Sequence, residues 1–182
     1  MFGKKEQLSH LPRIRHIVRL SIVLSVFCSL IVFLSPLSAS AQVNDAARPG
    51  PSICYQAHVQ NIGWQGTVCN NAVAGTTGQS LRMEAIRIFL RNVPRFMSVC
   101  YQAHVQNIGW QRPVCNGAVA GTTGQSLRME AIRIFLVRGF RTGVCYQAHV
   151  QNIGWQSRVC NGNVAGTTGQ SLRMEAIKIQ LR

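Results

Sequence analysis

A 35-residue segment occurs three times almost unchanged, at 54–88, 100–134 and 145–179, with start-to-start offsets of 46 and 45 residues. Each copy reads C-Y-Q-A-H-V-Q-N-I-G-W-Q, two variable residues, V-C-N, two more, V-A-G-T-T-G-Q-S-L-R-M-E-A-I, a Lys or Arg, and Ile. A period of roughly 20–50 residues marks an architecture whose units cannot bury a core alone, so the three copies are read as one folding unit.

Every copy holds two cysteines fifteen positions apart: Cys54 and Cys69, Cys100 and Cys115, Cys145 and Cys160. Regular spacing in an exported chain implies a disulfide framework, either within copies or between successive ones. Strand geometry favours the first. If Cys54 faces Cys69 across an antiparallel hairpin, Tyr55 faces Val68, Ala57 faces Gly66 and Val59 faces Trp64, all on one side. Gln56 then faces Thr67 and His58 faces Gln65 on the other side. Opposed residues share a face and alternate along each strand, so this register sorts apolar from polar residues. It places Trp64, Trp110 and Trp155 in the core. It leaves three polar sets, Gln56/His58/Gln65, Gln102/His104/Gln111 and Gln147/His149/Gln156, for a ligand.

After the second cysteine, Asn70 to Ser80 is dense in Gly, Thr, Asn and Ser, the composition of a loop with positive-φ positions. Leu81 to Leu90 fits either a helical face or a strand whose phase slips near Ala85. The alternation Ile86-x-Ile88-x-Leu90 favours the bulged strand. Three such units are expected to form an all-β, pseudo-threefold closed domain resembling a β-prism, with a β-trefoil as the alternative if the Val73–Thr77 stretch adds a fourth strand.

Ahead of the repeats, Lys4, Lys5, Arg13, Arg15 and Arg19 precede an apolar run from Leu20 to Leu34, and Ala39-Ser40-Ala41 offers a small-residue cleavage pattern. Residues 1–41 therefore read as a secretory signal peptide and 42–53 as a linker. The repeat domain fills 54–182, with repeats at 54–90, 100–136 and 145–181. Cleavage after Ala41 leaves fourteen Lys and Arg against four acids, about +10. That surplus favours an anionic partner through long-range attraction. Outside a cell such a partner is expected to be an acidic wall polymer, an anionic glycan or a lipid headgroup rather than nucleic acid.

At A-H-V-Q-N-I-G-W-Q followed by A-G-T-T-G-Q-S-L-R-M-E-A-I, the chain resembles the clostridial hydrophobic W-containing repeat, abbreviated ChW, over nearly all of 54–182. The resemblance implies an exported bacterial protein for surface adhesion or macromolecule binding, and it marks Trp64, Trp110 and Trp155 as signature residues. Two departures stand out. Asn70-Asn71, Asn116-Gly117 and Asn161-Gly162 replace a common Asp-Gly pair, and the paired cysteines are unusual for the family.

Catalysis is not expected. Glycoside hydrolysis ordinarily needs two carboxylates about 5–10 Å apart, and each repeat has one Glu flanked by Arg. No cofactor or metal is expected either, since a His beside Gln on a polar sheet face is ordinarily a solvated hydrogen-bonding residue. The expected function is a secreted, non-catalytic binding module for an anionic or neutral glycan or cell-wall polymer at a bacterial surface or in its surroundings. A surface protein is the alternative partner.

Overall fold

A computed structural model describes residues 49–138 and 143–182. The expected signal peptide lies outside these residues.

Alternating apolar residues at Ile53, Tyr55, Ala57 and Val59 build the first long strand, β1 (Ser52–Val59), and Ile86 and Ile88 fall on its partner β5 (Met83–Arg91). Between them run three two-residue strands, β2 (Gly63–Trp64), β3 (Val68–Cys69) and β4 (Ala74–Gly75). The second repeat gives β6 (Ser98–Val105), β7 (Gly109–Trp110), β8 (Val114–Cys115), β9 (Ala120–Gly121) and β10 (Met129–Val137). The third gives β11 (Val144–Val150), β12 (Gly154–Trp155), β13 (Val159–Cys160), β14 (Ala165–Gly166) and β15 (Met174–Leu181).

β1 and β5 run antiparallel, with Tyr55 opposite Ile88 and Ala57 opposite Ile86. The pairing then steps from His58–Ala85 to Val59–Met83, which leaves Glu84 as an extra residue. This is the bulge that the phase slip near Ala85 requires. One face of the ladder therefore carries Ile53, Tyr55, Ala57, Val59, Met83, Ile86 and Ile88, all fully buried. The corresponding faces of the other two repeats join it in one hydrophobic core. Each fully buried Ile, Val or Met contributes about 1.5–3 kcal/mol through loss of apolar surface to water.

The third short strand of each repeat pairs outside its own repeat. β4 lies along β15, β9 along β5 and β14 along β10. The donation is cyclic, so the first repeat completes the third. The result is three separate five-stranded sheets that do not close into a barrel, with no helix among the described residues. The fold is all-β, pseudo-threefold and prism-like. The stretch at 73–77 does supply a fourth strand, but it serves as a clip onto the neighbouring repeat rather than as part of a trefoil barrel.

The clip needs glycine. Gly75 has φ +101°, and a Cβ there would lie 2.3 Å from the Glu175 carbonyl oxygen and 2.6 Å from the Ala176 Cα. A second set of bonds closes each seam. The Tyr55 hydroxyl donates to the Ala72 carbonyl of its own repeat and accepts the Ile179 N–H of the third repeat at 3.0 Å. Tyr101 joins Ala118 to Ile88 of the first repeat, and Tyr146 joins Asn163 to Ile134 of the second. Burial pushes the Tyr55 phenol up to about 12, against the opposing pull of its Ile179 bond, and raises Tyr101 and Tyr146 in the same direction.

Disulfides join Cys54 to Cys69, Cys100 to Cys115 and Cys145 to Cys160. Just beyond each bridge, an Asn in the left-handed region grips the first strand. Asn70 (φ 48°) accepts the Ile53 N–H on Oδ1 at 3.1 Å and returns its own N–H to the Ile53 carbonyl at 3.0 Å.

Candidate functional site

The hairpin begins in the expected register, with Cys54 opposite Cys69 and Tyr55 opposite Val68, but ends one residue out of it, with His58 opposite Trp64 and Val59 opposite Gly63. Three steps along β1 match four on the returning arm, so one residue between Trp64 and Val68 is extra. A slip of one residue sends a side chain to the other face of a sheet. Trp64, Trp110 and Trp155 were expected in the core, but they lie half-buried on the outer faces beside His58, His104 and His149.

Gln65, within the slipped segment, accounts for the extra residue. Its backbone N–H still reaches the Ala57 carbonyl at 2.9 Å. Its side-chain amide pairs with β4, accepting the Gly75 N–H on Oε1 at 2.6 Å and donating from Nε2 to the Gly75 carbonyl at 3.3 Å. Gln111 grips Gly121, and Gln156 grips Gly166, in the same way. Gln56, Gln102 and Gln147 each donate to the carbonyl of that clamping glutamine, at 3.1, 2.6 and 2.6 Å. Six of the nine residues expected to meet a ligand thus have amide groups committed to the backbone.

The histidines have a different setting. His58 Nδ1 lies 3.2 Å from Glu84 Oε2, while Arg82 holds Oε1 through Nε at 3.0 Å and Nη2 at 2.8 Å. No hydrogen bond joins His58 Nδ1 to the carboxylate, so the two groups are in close approach only. The bulge at Glu84 is what turns this carboxylate toward His58 and Arg82. His104 with Glu130 and Arg128, and His149 with Glu175 and Arg173, repeat the arrangement. The three histidines lie on separate sheets.

Each His ring meets the neighbouring Trp edge to face at a centroid distance of 5.3 Å. A cation lies over the indole: the Arg87 guanidinium at 4.3 Å from the Trp64 centroid, Arg133 at 4.4 Å from Trp110, and Lys178 Nζ at 4.5 Å from Trp155. These cations are the functional candidates that the sequence reading missed. A signal was present: Ile86-Arg87-Ile88 alternates, so Arg87 must face away from the core, where it stands opposite Gln56. Beyond each indole, at the hairpin tip, Ile62, Ile108 and Ile153 are about half exposed (49%, 50% and 49%).

The described residues contain twelve Lys and Arg and three Glu. Each Glu is held by Arg and His of its own repeat, so Arg87, Arg133 and Lys178 have no carboxylate partner among the described residues. The outer face of each repeat thus offers an aromatic ring, a cation free of counter-charge and an imidazole.

No curated protein and no solved structure matches the chain. A family profile does match, at 58–92, 104–138 and 149–182, and each matched segment spans the tryptophan, the clamp glutamine, the clip strand and the bulged Glu. The segments begin at His58, His104 and His149, so the first cysteine and the seam tyrosine of each repeat fall before them. With more than half of the sequence matched, the chain belongs to the Clostridial hydrophobic W family.

Proposed function

We propose that this is an exported, non-catalytic module that binds cell-surface or environmental polysaccharide through its three tryptophan platforms. The observation that carries the reading is the outward tryptophan under an uncompensated cation, repeated in every sheet. The cation covers one face of each indole, the apolar surface that it leaves open suits the C–H groups of a sugar ring, and the adjacent imidazole and cation suit its hydroxyls. Three copies raise weak single-site affinity into avidity. The binding groups on this reading are Trp64, His58 and Arg87 with their counterparts; the glutamines hold the platform in place. Export accords with three disulfides, which persist in oxidising surroundings.

Affinity electrophoresis in gels containing purified wall polysaccharides provides the test. Trp110→Ala is expected to weaken polymer binding at least about tenfold through lost avidity. Melting should show that the fold is retained, because the ring is not part of the core. Unchanged retention of the Trp64→Ala/Trp110→Ala/Trp155→Ala variant would refute the reading. The half-exposed Ile62, Ile108 and Ile153 beside the platforms favour a second reading, adhesion to a surface protein. Binding that a free sugar does not displace, and that Ile108→Ser abolishes, would select it.

A further inference from the structure

Three sheets whose inner faces share one core must turn their outer faces in three different directions. The platforms therefore diverge. A flat bilayer can lie against only part of this array, whereas separate chain segments can reach each face independently. A domain of this length has a radius of gyration of about 14 Å. A polysaccharide made of linked rings is stiff on that scale, so different faces are expected to take different chains rather than one chain wrapped around all three. Charge complementarity narrows the occupant. The described carboxylates are all held within their own repeats, and the cations over the indoles are not, so the complement is a sugar bearing a carboxylate.

We propose that the molecule cross-links acidic polysaccharide: each platform seats one uronate-bearing segment, with the carboxylate at Arg87, Arg133 or Lys178 and the sugar ring against the part of the indole that this cation leaves open. This rests on the polysaccharide reading above. The third site differs from the others, because Lys178 supplies a point charge where Arg87 and Arg133 offer a planar fork that can engage a carboxylate bidentately.

Calorimetric titration of the parent protein with a short alginate oligomer, followed by turbidity on addition of long-chain alginate at fixed salt, tests the proposal. Dextran serves as the neutral control. The expected results are three oligomers per protein and a precipitate that peaks at equivalence and dissolves when excess oligomer is added. Trp64→Ala/Trp110→Ala keeps the net charge but only one platform, so it should bind alginate about 10²-fold more weakly and leave it in solution. Should that variant not fold, the oligomer count on the parent decides. A count of one, or three oligomers bound with the long polymer left clear, overturns cross-linking and leaves the polysaccharide reading standing. A double variant that folds and precipitates alginate as the parent does assigns the effect to charge condensation and also overturns it. Equal binding of dextran overturns the acidic ligand. No binding to either polymer overturns the uronate ligand and the cross-linking, and the wall-polysaccharide test above then decides the polysaccharide reading separately.

Discussion

The chain's three tyrosines are all seam residues, and each hydroxyl donates within its own repeat while accepting an N–H from another. Their titration therefore reports on closure. An unfolded phenol ionises near pH 10. The folded Tyr55 holds its proton to about 12, so the stability this provides is complete below pH 10 and is lost as pH rises through 12. For Tyr55 the difference amounts to about 3 kcal/mol. Ultraviolet titration at pH 10.5 is expected to show much less phenolate in the native protein than after addition of urea, where about three-quarters of the phenols ionise; ordinary ionisation near pH 10 in the native state would contradict buried seams. Burial of Tyr55 and the pairing of Cys54 with Cys69 were legible in the sequence, because both follow from the first steps of the hairpin register. The position of Trp64 was not legible. A single extra residue inverts its face, and what stabilises that residue, the grip of Gln65 on Gly75, depends on a contact across a loop.

Among the elements, the bulged β5 was readable from its broken alternation, and β4 was not. Two residues, Ala74-Gly75, carry no strand pattern of their own, and their partner β15 lies about a hundred residues away in the chain. What marks them is the glycine. In the second repeat, a Cβ on Gly121 would lie 2.3 Å from the Glu84 carbonyl oxygen and 2.6 Å from the Ala85 Cα, both backbone atoms that cannot yield as a side-chain tip can. Gly121 also has φ +101°, where an L side chain is strained. Gly121→Ala is expected to cost about 2–4 kcal/mol and to detach β9 from β5. Hydrogen exchange at Thr122, whose N–H donates to the Glu84 carbonyl at 2.8 Å, gives a local readout. Unchanged protection there would show that the clip tolerates a side chain and is not close-packed.

At the scale of the repeat domain, the sequence specified three units around one core, and it did so because identical apolar faces without a partner must meet each other. The cyclic order of strand donation adds a requirement for the full number of repeats. Removal of 145–182 would leave β10 without β14, β4 without β15, and the Tyr55 hydroxyl without the Ile179 N–H. The two-repeat remnant is expected to lose cooperative unfolding in urea; a sharp transition in a monomeric remnant would show that closure is dispensable. The central claim is that the outward tryptophans are the binding surface, and they are the only three in the chain. Tryptophan fluorescence during titration with a bound polysaccharide tests it most directly. Emission is expected to shift, and iodide quenching to fall, in step with binding. Saturable polymer binding that leaves both emission and quenching unchanged would contradict it.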